Sequence, residues 1–264
     1  MPATKRSVFL ESRYRKLVRD LPQTIFWCPV CGGRPWERVG CTHCLGRGRI
    51  HDDSVQELVG RRLLPAYRAR HGKFHGAGRE DVDVRMLGRG RPFVYEIVGP
   101  RVEDVDLVAV VEKINAQGAG RIEIDRLVSV PRGRVRELKE TRSRKRYRIG
   151  VSVDGEADLD GLRARIDTVV NVEQRTPERV AHRRGDLVRT RELRVIAVDP
   201  GADARAFSID IETAHGTYVK EWVSGDGGRS TPSISEWLGA AARCEWLDVL
   251  EILDGDPAGS AAGT

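Results

Sequence analysis

Apolar positions recur along this chain with two periods, and the periods divide it into helices and strands. Residues 103–117 place Leu107, Val110, Val111 and Ile114 on one helical face, with Gly118 positioned as a C-cap. Ser54-Val55-Gln56-Glu57 reads as a capping box opening another helix, with Leu58, Leu63 and Leu64 on its apolar side and Pro65 restricting its continuation. Residues 159–169 have helical spacing, and 233–243 predict a short helix. Strand-like, apolar-rich runs mark 92–98, 121–128, 147–153, 193–198, 207–211 and a final strand at 244–253. The pair around Asp199-Pro200-Gly201-Ala202 reads as a hairpin. Helix and strand interleave without an internal repeat, so an α+β fold is expected. Residues 1–10 read as a mobile lead-in. The segment from Arg13 to Pro22 mixes basic and aromatic groups, suited either to gripping a nucleic-acid backbone or to a snorkelling surface helix.

Composition narrows the class. The 264 residues are 40% hydrophobic, enough for a substantial core and too much for general disorder. No run approaches the roughly 18 apolar residues of a membrane span, and the charged N-terminus has no apolar signal core. A cytoplasmic protein without a membrane partner is expected. The 45 Lys+Arg against 39 Asp+Glu give +6, mostly as arginine, whose planar fork suits phosphates and stacks on bases. Nine of the 17 residues from 132 to 148 are Arg or Lys. They read as a basic arm, including Arg144, Lys145 and Arg146, that needs a counter-charge phosphates would supply. A second basic loop, 172–184, carries Arg175, Arg179, Arg183 and Arg184 as candidate phosphate contacts.

Four of the five cysteines form two knuckles, Cys28-Pro29-Val30-Cys31 and Cys41-Thr42-His43-Cys44, nine residues apart. Four thiolates at this spacing can close a tetrahedral structural zinc site; the competing disulfide reading requires an oxidising compartment. Gly32, Gly33, Gly40, Gly46 and Gly48 supply the tight turns of a ribbon. His43 reads as a surface residue and Cys244 as plain core.

The most polar stretch is Gly78-Arg79-Glu80-Asp81-Val82-Asp83-Val84-Arg85-Met86-Leu87-Gly88, with five charged side chains between glycines. It predicts an ordered polar loop on the entry to the strand at 92–98, where a rigid sheet can fix the geometry of chemical groups. A solvated turn is the bland alternative. Gly-Arg-x-Asp is the short signature around the catalytic aspartate in several pseudouridine synthase families. The longer string from Gly78 to Arg89-Gly90-Arg91-Pro92-Phe93 resembles the motif of the archaeal and eukaryotic-type tRNA pseudouridine synthases of the Pus-ten family.

Other segments carry the same resemblance: Arg13-Tyr14-Arg15-Lys16 followed by Leu21-Pro22-Gln23-Thr24; Gln174-Arg175-Thr176-Pro177; and Gly216-Thr217-Tyr218-Val219-Lys220 with Ser224-Gly225-Asp226-Gly227-Gly228-Arg229-Ser230. It implies a mixed, mainly antiparallel sheet in two parts, flanked by helices, with no organic or redox cofactor. It also implies roles. Asp81 would be the catalytic nucleophile, Tyr147 in Lys145-Arg146-Tyr147 would stack on the flipped uracil and take the C5 proton, and Lys220 would pair with Asp81. Arg79 joins the RNA-binding candidates, and Asp83 is the internal rival to Asp81. The implied substrate is tRNA, at T-loop uridines 54 and/or 55. A non-catalytic zinc-ribbon RNA-binding protein, or a pseudouridine synthase for another RNA, is the alternative.

The expected organisation is an N-terminal segment 1–24 joining the catalytic domain, a zinc-ribbon insert 25–52, a catalytic domain 53–253 and a disordered tail 254–264. Family members usually carry a THUMP-type RNA-binding domain ahead of the catalytic part. Here tRNA would be held by a separately encoded RNA-binding partner, or by the zinc ribbon and the 132–148 arm.

Overall fold

Strand β1 (Ser7–Lys16) alternates strictly along its second half, burying Leu10, Ser12, Tyr14 and Lys16 while Phe9, Glu11, Arg13 and Arg15 are half-exposed. It corrects the lead-in expected over 1–10 from Ser7 onward, residues 1–5 lying outside the described residues, and the exposed basic–aromatic segment expected from Arg13. Three of the four inward positions, Ser12, Tyr14 and Lys16, carry polar groups, so apolar periodicity alone does not reveal the buried face. The computed structural model describes residues 6–181 and 185–253; the expected tail at 254–264 and the candidates Arg183 and Arg184 lie outside the described residues.

The chain divides into two compact units, Met1–Thr141 and Arg142–Thr264. In the first, β1 is followed by the short helix α1 (Pro35–Arg38), α2 (Val55–Ala66), strands β2 (His71–Gly76) and β3 (Arg85–Val98), α3 (Leu107–Gln117), β4 (Ile122–Ile124), β5 (Val128–Ser129) and α4 (Arg134–Glu140). β3 pairs antiparallel with both β1 and β2, and β4 and β5 pair with β1. Ser54 caps α2 by accepting the Glu57 N–H at 3.2 Å, and the helix passes through Pro65 to end at Ala66. Gly60 on α2 is required by packing, because a Cβ there would lie 2.3 Å from the Tyr95 hydroxyl. Gly118 ends α3, as its sequence predicts, but the helix starts at Leu107 rather than at 103, where Asp106 caps it by accepting the Ala109 N–H.

β3 begins at Arg85, seven residues before the expected start, so the polar loop is confined to 78–84. Gly90 lets β3 approach β1 closely: its φ is +77°, and a Cβ would meet the Tyr14 carbonyl oxygen at 2.6 Å.

The second unit holds β6 (Lys145–Val153), α5 (Leu159–Arg163), β7 (Val169–Arg175), α6 (Glu178–Ala181), β8 (Val188–Pro200), β9 (Ala206–Thr213), α7 (Val219–Ser224), β10 (Ser230–Thr231), α8 (Ile234–Leu238) and β11 (Ala242–Ile252). Its strands lie in the order β10-β7-β8-β9-β6-β11, antiparallel at every pairing. Several expectations change here. The helix over 159–169 stops at Arg163, and Asp167 adopts φ +62°, turning the chain into the β-branched start of β7. Residues 172–175 are therefore strand rather than loop. α8 is shorter than predicted, although its Ser233–Glu236 capping box is complete. Cys244 is half-buried, not core.

The basic arm at 132–148 is likewise ordered: it is α4 followed by the start of β6. Much of its counter-charge comes from the protein. In the first unit Arg134 donates to both oxygens of Glu11 at 2.7 and 2.8 Å, and Arg136 pairs with Glu140. In the second, Arg144 pairs with Glu192 and Glu212, and Arg148 forks onto Asp210 at 2.7 and 2.8 Å.

Candidate active site

Asp81 is exposed, on a loop whose neighbouring residue Glu80 points the other way and is buried. The Glu80 carboxylate accepts from the Tyr14 hydroxyl at 2.8 and 2.9 Å and from Arg91 Nε at 2.7 Å, and lies 3.9 Å from Lys16 Nζ. A buried carboxylate is tolerated only when charges and hydrogen bonds replace its water, and this set does so. The same cluster grips the loop by its backbone. Lys16 Nζ donates to the carbonyl oxygens of Asp81 at 3.1 Å, Val82 at 3.0 Å and Leu21 at 2.8 Å. Gln23 Nε2 donates to Gly78 O at 3.0 Å and to the Tyr14 hydroxyl at 2.8 Å; Arg91 reaches Ala77 O and Arg19 reaches Asp83 O, both at 2.8 Å.

The electrostatics follow from burial. Desolvation, reinforced by the Glu80 charge, raises the Tyr14 phenol well above its ordinary value, so it stays a donor. Burial draws the Lys16 ammonium down to about 8, with Glu80, Asp83 and Asp81 opposing that shift. Two cations, Lys16 and Arg91, thus surround one buried anion beneath the exposed Asp81.

In the second unit Tyr147 is half-buried on β6, in register with Ile211 of β9 and Val249 of β11. Its basic neighbours are tied to β9: Arg144 and Arg194 both reach Glu212, and Arg146 Nη2 lies 3.6 Å from the same carboxylate. Burial raises the Glu212 carboxyl, but these arginines, Arg144 foremost, carry it below the usual range. Lys220 occupies the first turn of α7. The peptide just before it is clamped by buried Gln174, which accepts from the Tyr218 N–H and donates to the Tyr218 carbonyl, both at 2.9 Å. Trp222, fully buried, packs edge-to-face on Trp237 at 5.5 Å, and Gly225 at φ +79° ends the helix. Arg175 pairs with Asp186, and Arg179 with Glu221, both at 2.5 Å. Arg79 is exposed beside Asp81.

The two knuckles converge. Cys28 and Cys41 Sγ are 3.9 Å apart, Cys31 and Cys44 Sγ 3.7 Å, and all four sulfurs lie within 4.8 Å of one another. Four thiolates about 2.3 Å from a tetrahedral ion would be separated by about 3.8 Å, so the set fits a metal ion, and all four are free thiols. The Gly48 N–H donates to Cys44 Sγ at 3.1 Å, and exposed His43 lies outside the set with Nδ1 3.4 Å from Cys28 Sγ.

A family model described as "Pus10, C-terminal" matches residues 9–253. The chain belongs to this family. It is 41% identical over 246 residues to the tRNA pseudouridine synthase Pus10 of Methanothrix thermoacetophila, covering 93% of this chain and 53% of that protein. It is 44% identical over 254 residues to the tRNA pseudouridine synthase Pus10 of Methanothermobacter marburgensis, covering 95% and 60%. The chain thus spans between half and two-thirds of the length of these Pus10 relatives. A solved Cbf5-Nop10-Gar1 complex aligns at TM-score 0.43 and 15% identity, over 75% of this chain and 45% of that one, a level from which no chemistry transfers. Among the described residues, no helix is long and apolar enough to cross a membrane.

Within the chain, Asp81 stands on the first unit, and Tyr147 and Lys220 on the second. The motif strings contain Lys16, Gln23, Glu80, Arg91 and Gln174 but give them no role; the first four surround the Asp81 loop and Gln174 lies behind Lys220. One signal for the first group was available, since Tyr14 and Lys16 fall on the same alternating face as Leu10.

Proposed function

We propose that this chain supplies the catalytic part of a tRNA pseudouridine synthase, isomerising uridine in the T-loop at position 54, 55 or both. The observation that carries the reading is the buried cluster of Lys16, Tyr14, Gln23, Glu80 and Arg91. It fixes the backbone of the 78–84 loop and leaves the Asp81 side chain outward. A loop that merely turned the chain would not need three buried charges beneath it.

The reaction breaks the N1–C1′ bond of uridine, turns the base and forms a C5–C1′ bond; the C5 proton leaves and N1 gains one. Asp81 is the carboxylate that acts on the nucleoside, as nucleophile or as electrostatic partner of the sugar. Lys220 is the cation assigned as its partner in the reaction. Tyr147 stacks on the extruded uracil and receives the C5 proton. The target must leave its stack to meet these groups, and an RNA loop is the least costly place to extrude one. Arg79, Arg144, Lys145, Arg146, Arg175, Arg179, Arg183 and Arg184 are the candidate RNA contacts. The pair Arg175 makes with Asp186 is exposed on both sides and therefore weak, so phosphate can compete for it, whereas Arg144 and Arg179 are held by the buried carboxylates of Glu212 and Glu221. The four cysteines hold a structural zinc that shapes their module.

The test is to incubate the purified protein with unmodified tRNA transcript and map pseudouridine along it. Modification of T-loop uridines supports the assignment. Tight binding without any pseudouridine refutes it in favour of an RNA-binding protein.

A further inference from the structure

The four-cysteine module hides its sulfurs and exposes its hydrophobic residues. Among the described residues, twelve large hydrophobic side chains are exposed, and six of them, Phe26, Trp27, Val30, Trp36, Val39 and Leu45, fall within one stretch of twenty residues. Trp36 is 75% exposed and Trp27 54%. A cluster of this kind on a small module marks a surface that something covers.

The module also fixes how Trp27 is presented. Trp27 bridges antiparallel to Arg49, and its ring lies against Gly33, where a Cβ would fall 2.2 Å from the indole. Gly33 and Gly48 meet at the same place: a Cβ on Gly48 would be 3.1 Å from the Gly33 Cα and 3.4 Å from the Arg38 Cδ. The indole is therefore laid on glycine backbone, already ordered, with more than half its surface open. Phe26 packs edge-to-face with His51 at 5.9 Å beside it.

Charge selects the occupant. Residues 25–52 contain Arg34, Arg38, Arg47 and Arg49 against only Glu37 and Asp52. The pairs Arg34–Glu37 and Arg47–Asp52 are largely exposed, so they are screened and exchangeable. Exposed indoles interleaved with arginines match a polyanion bearing flat, stackable groups: unpaired nucleotides of RNA. An acidic protein segment would satisfy the arginines but would have no particular use for the preset indole of Trp27 and the open one of Trp36.

We propose that the four-cysteine module is a stacking platform on which Trp27 and Trp36 hold unpaired bases of the substrate RNA, with Arg38 and its neighbours on the phosphates. The proposal rests on the tRNA reading given above, but it assigns the module a job separate from the chemistry at Asp81. It accounts for a zinc-type ribbon built to expose, rather than bury, its aromatic residues.

The test compares wild type, Trp27→Ala, Trp36→Ala and Arg38→Glu for affinity to unmodified tRNA across a salt series, with metal content and thermal midpoint confirming an intact module. Each tryptophan variant is expected to weaken binding at least ~5-fold, with an unaltered dependence on salt because no charge is lost. Its turnover at saturating tRNA should stay within about 2-fold of wild type. Arg38→Glu should flatten the salt dependence. Trp36 is 75% exposed, so its variant should keep the module folded even if the Trp27 variant loses its metal. Binding of Trp36→Ala within about 2-fold of wild type overturns the proposal and leaves a protein partner as the occupant. Asp81→Asn separates this outcome from failure of the catalytic reading: it should bind tRNA like wild type while forming no pseudouridine. Should wild type form none either, the tryptophan variants' affinities still decide the platform.

Discussion

The ammonium of Lys16 donates to the carbonyl oxygen of Asp81 at 3.1 Å, from a side chain wholly removed from solvent. A residue 65 positions away thus holds the candidate catalytic aspartate through its main chain. Removing that donor frees the loop without touching the carboxylate. Lys16→Met is expected to lower turnover about 100-fold, the cost of a displacement near ~1 Å at a reacting group. Affinity for tRNA should stay within a few-fold. Single-turnover rates and binding isotherms on the same preparation check it; a variant that turns over like wild type would show the loop needs no such tether.

Glu80 is the carboxylate of that cluster, and it neutralises Arg91 at 2.7 Å. Glu80→Gln keeps the shape but removes the counter-ion buried between Arg91 and Lys16, a change that costs about 3 kcal/mol. Urea unfolding should register it as a lower midpoint with an unchanged slope. A loss below about 0.5 kcal/mol, the level of an ordinary surface substitution, would mean water enters the cluster.

Lys16 also makes stability depend on pH in a particular direction. Its folded value, about 8, lies below the ordinary 10.5 because burial disfavours the ammonium. Between those values the unfolded chain binds the proton more strongly, so stability rises with pH across the window, and below pH 8 the ionised Lys16 is least favourable. The stability of wild type relative to Lys16→Met should therefore grow by roughly 2 kcal/mol from about pH 7 to about pH 10. A constant difference across that range would show that Lys16 is solvated in the native protein.

The sulfur geometry carries its own expectation. Purified protein should release one zinc per chain to a strong chelator, and Cys41→Ser with Cys44→Ser should release none. Losing two of four thiolates should unfold the module and lower the thermal midpoint. Full occupancy in the double variant would place the metal elsewhere.

Much of this was legible in the residues. The two Cys-x-x-Cys knuckles, the Ser54 and Ser233 helix starts and the hairpin around Pro200 depend on local spacing, and local spacing is visible in a sequence. The string from Gly78 to Phe93 marked the candidate site for the same reason. What escaped was whatever depends on partners far along the chain. Tyr14 and Lys16 look like a surface pair until Glu80 arrives beneath them. Arg134 and Arg148 look like a basic arm awaiting phosphate until Glu11 and Asp210, 123 and 62 residues away, meet them. Burial of a charge is a property of pairs, and one strand's pattern records only half of each pair.

The central claim is that Asp81, and not its neighbour Asp83, carries the chemistry. Single-turnover conversion of uridine in unmodified tRNA should be compared for Asp81→Asn and Asp83→Asn at saturating enzyme. The account predicts no detectable pseudouridine with Asp81→Asn, at wild-type tRNA affinity, and substantial turnover with Asp83→Asn. Retained turnover in Asp81→Asn, together with its loss in Asp83→Asn, would contradict it.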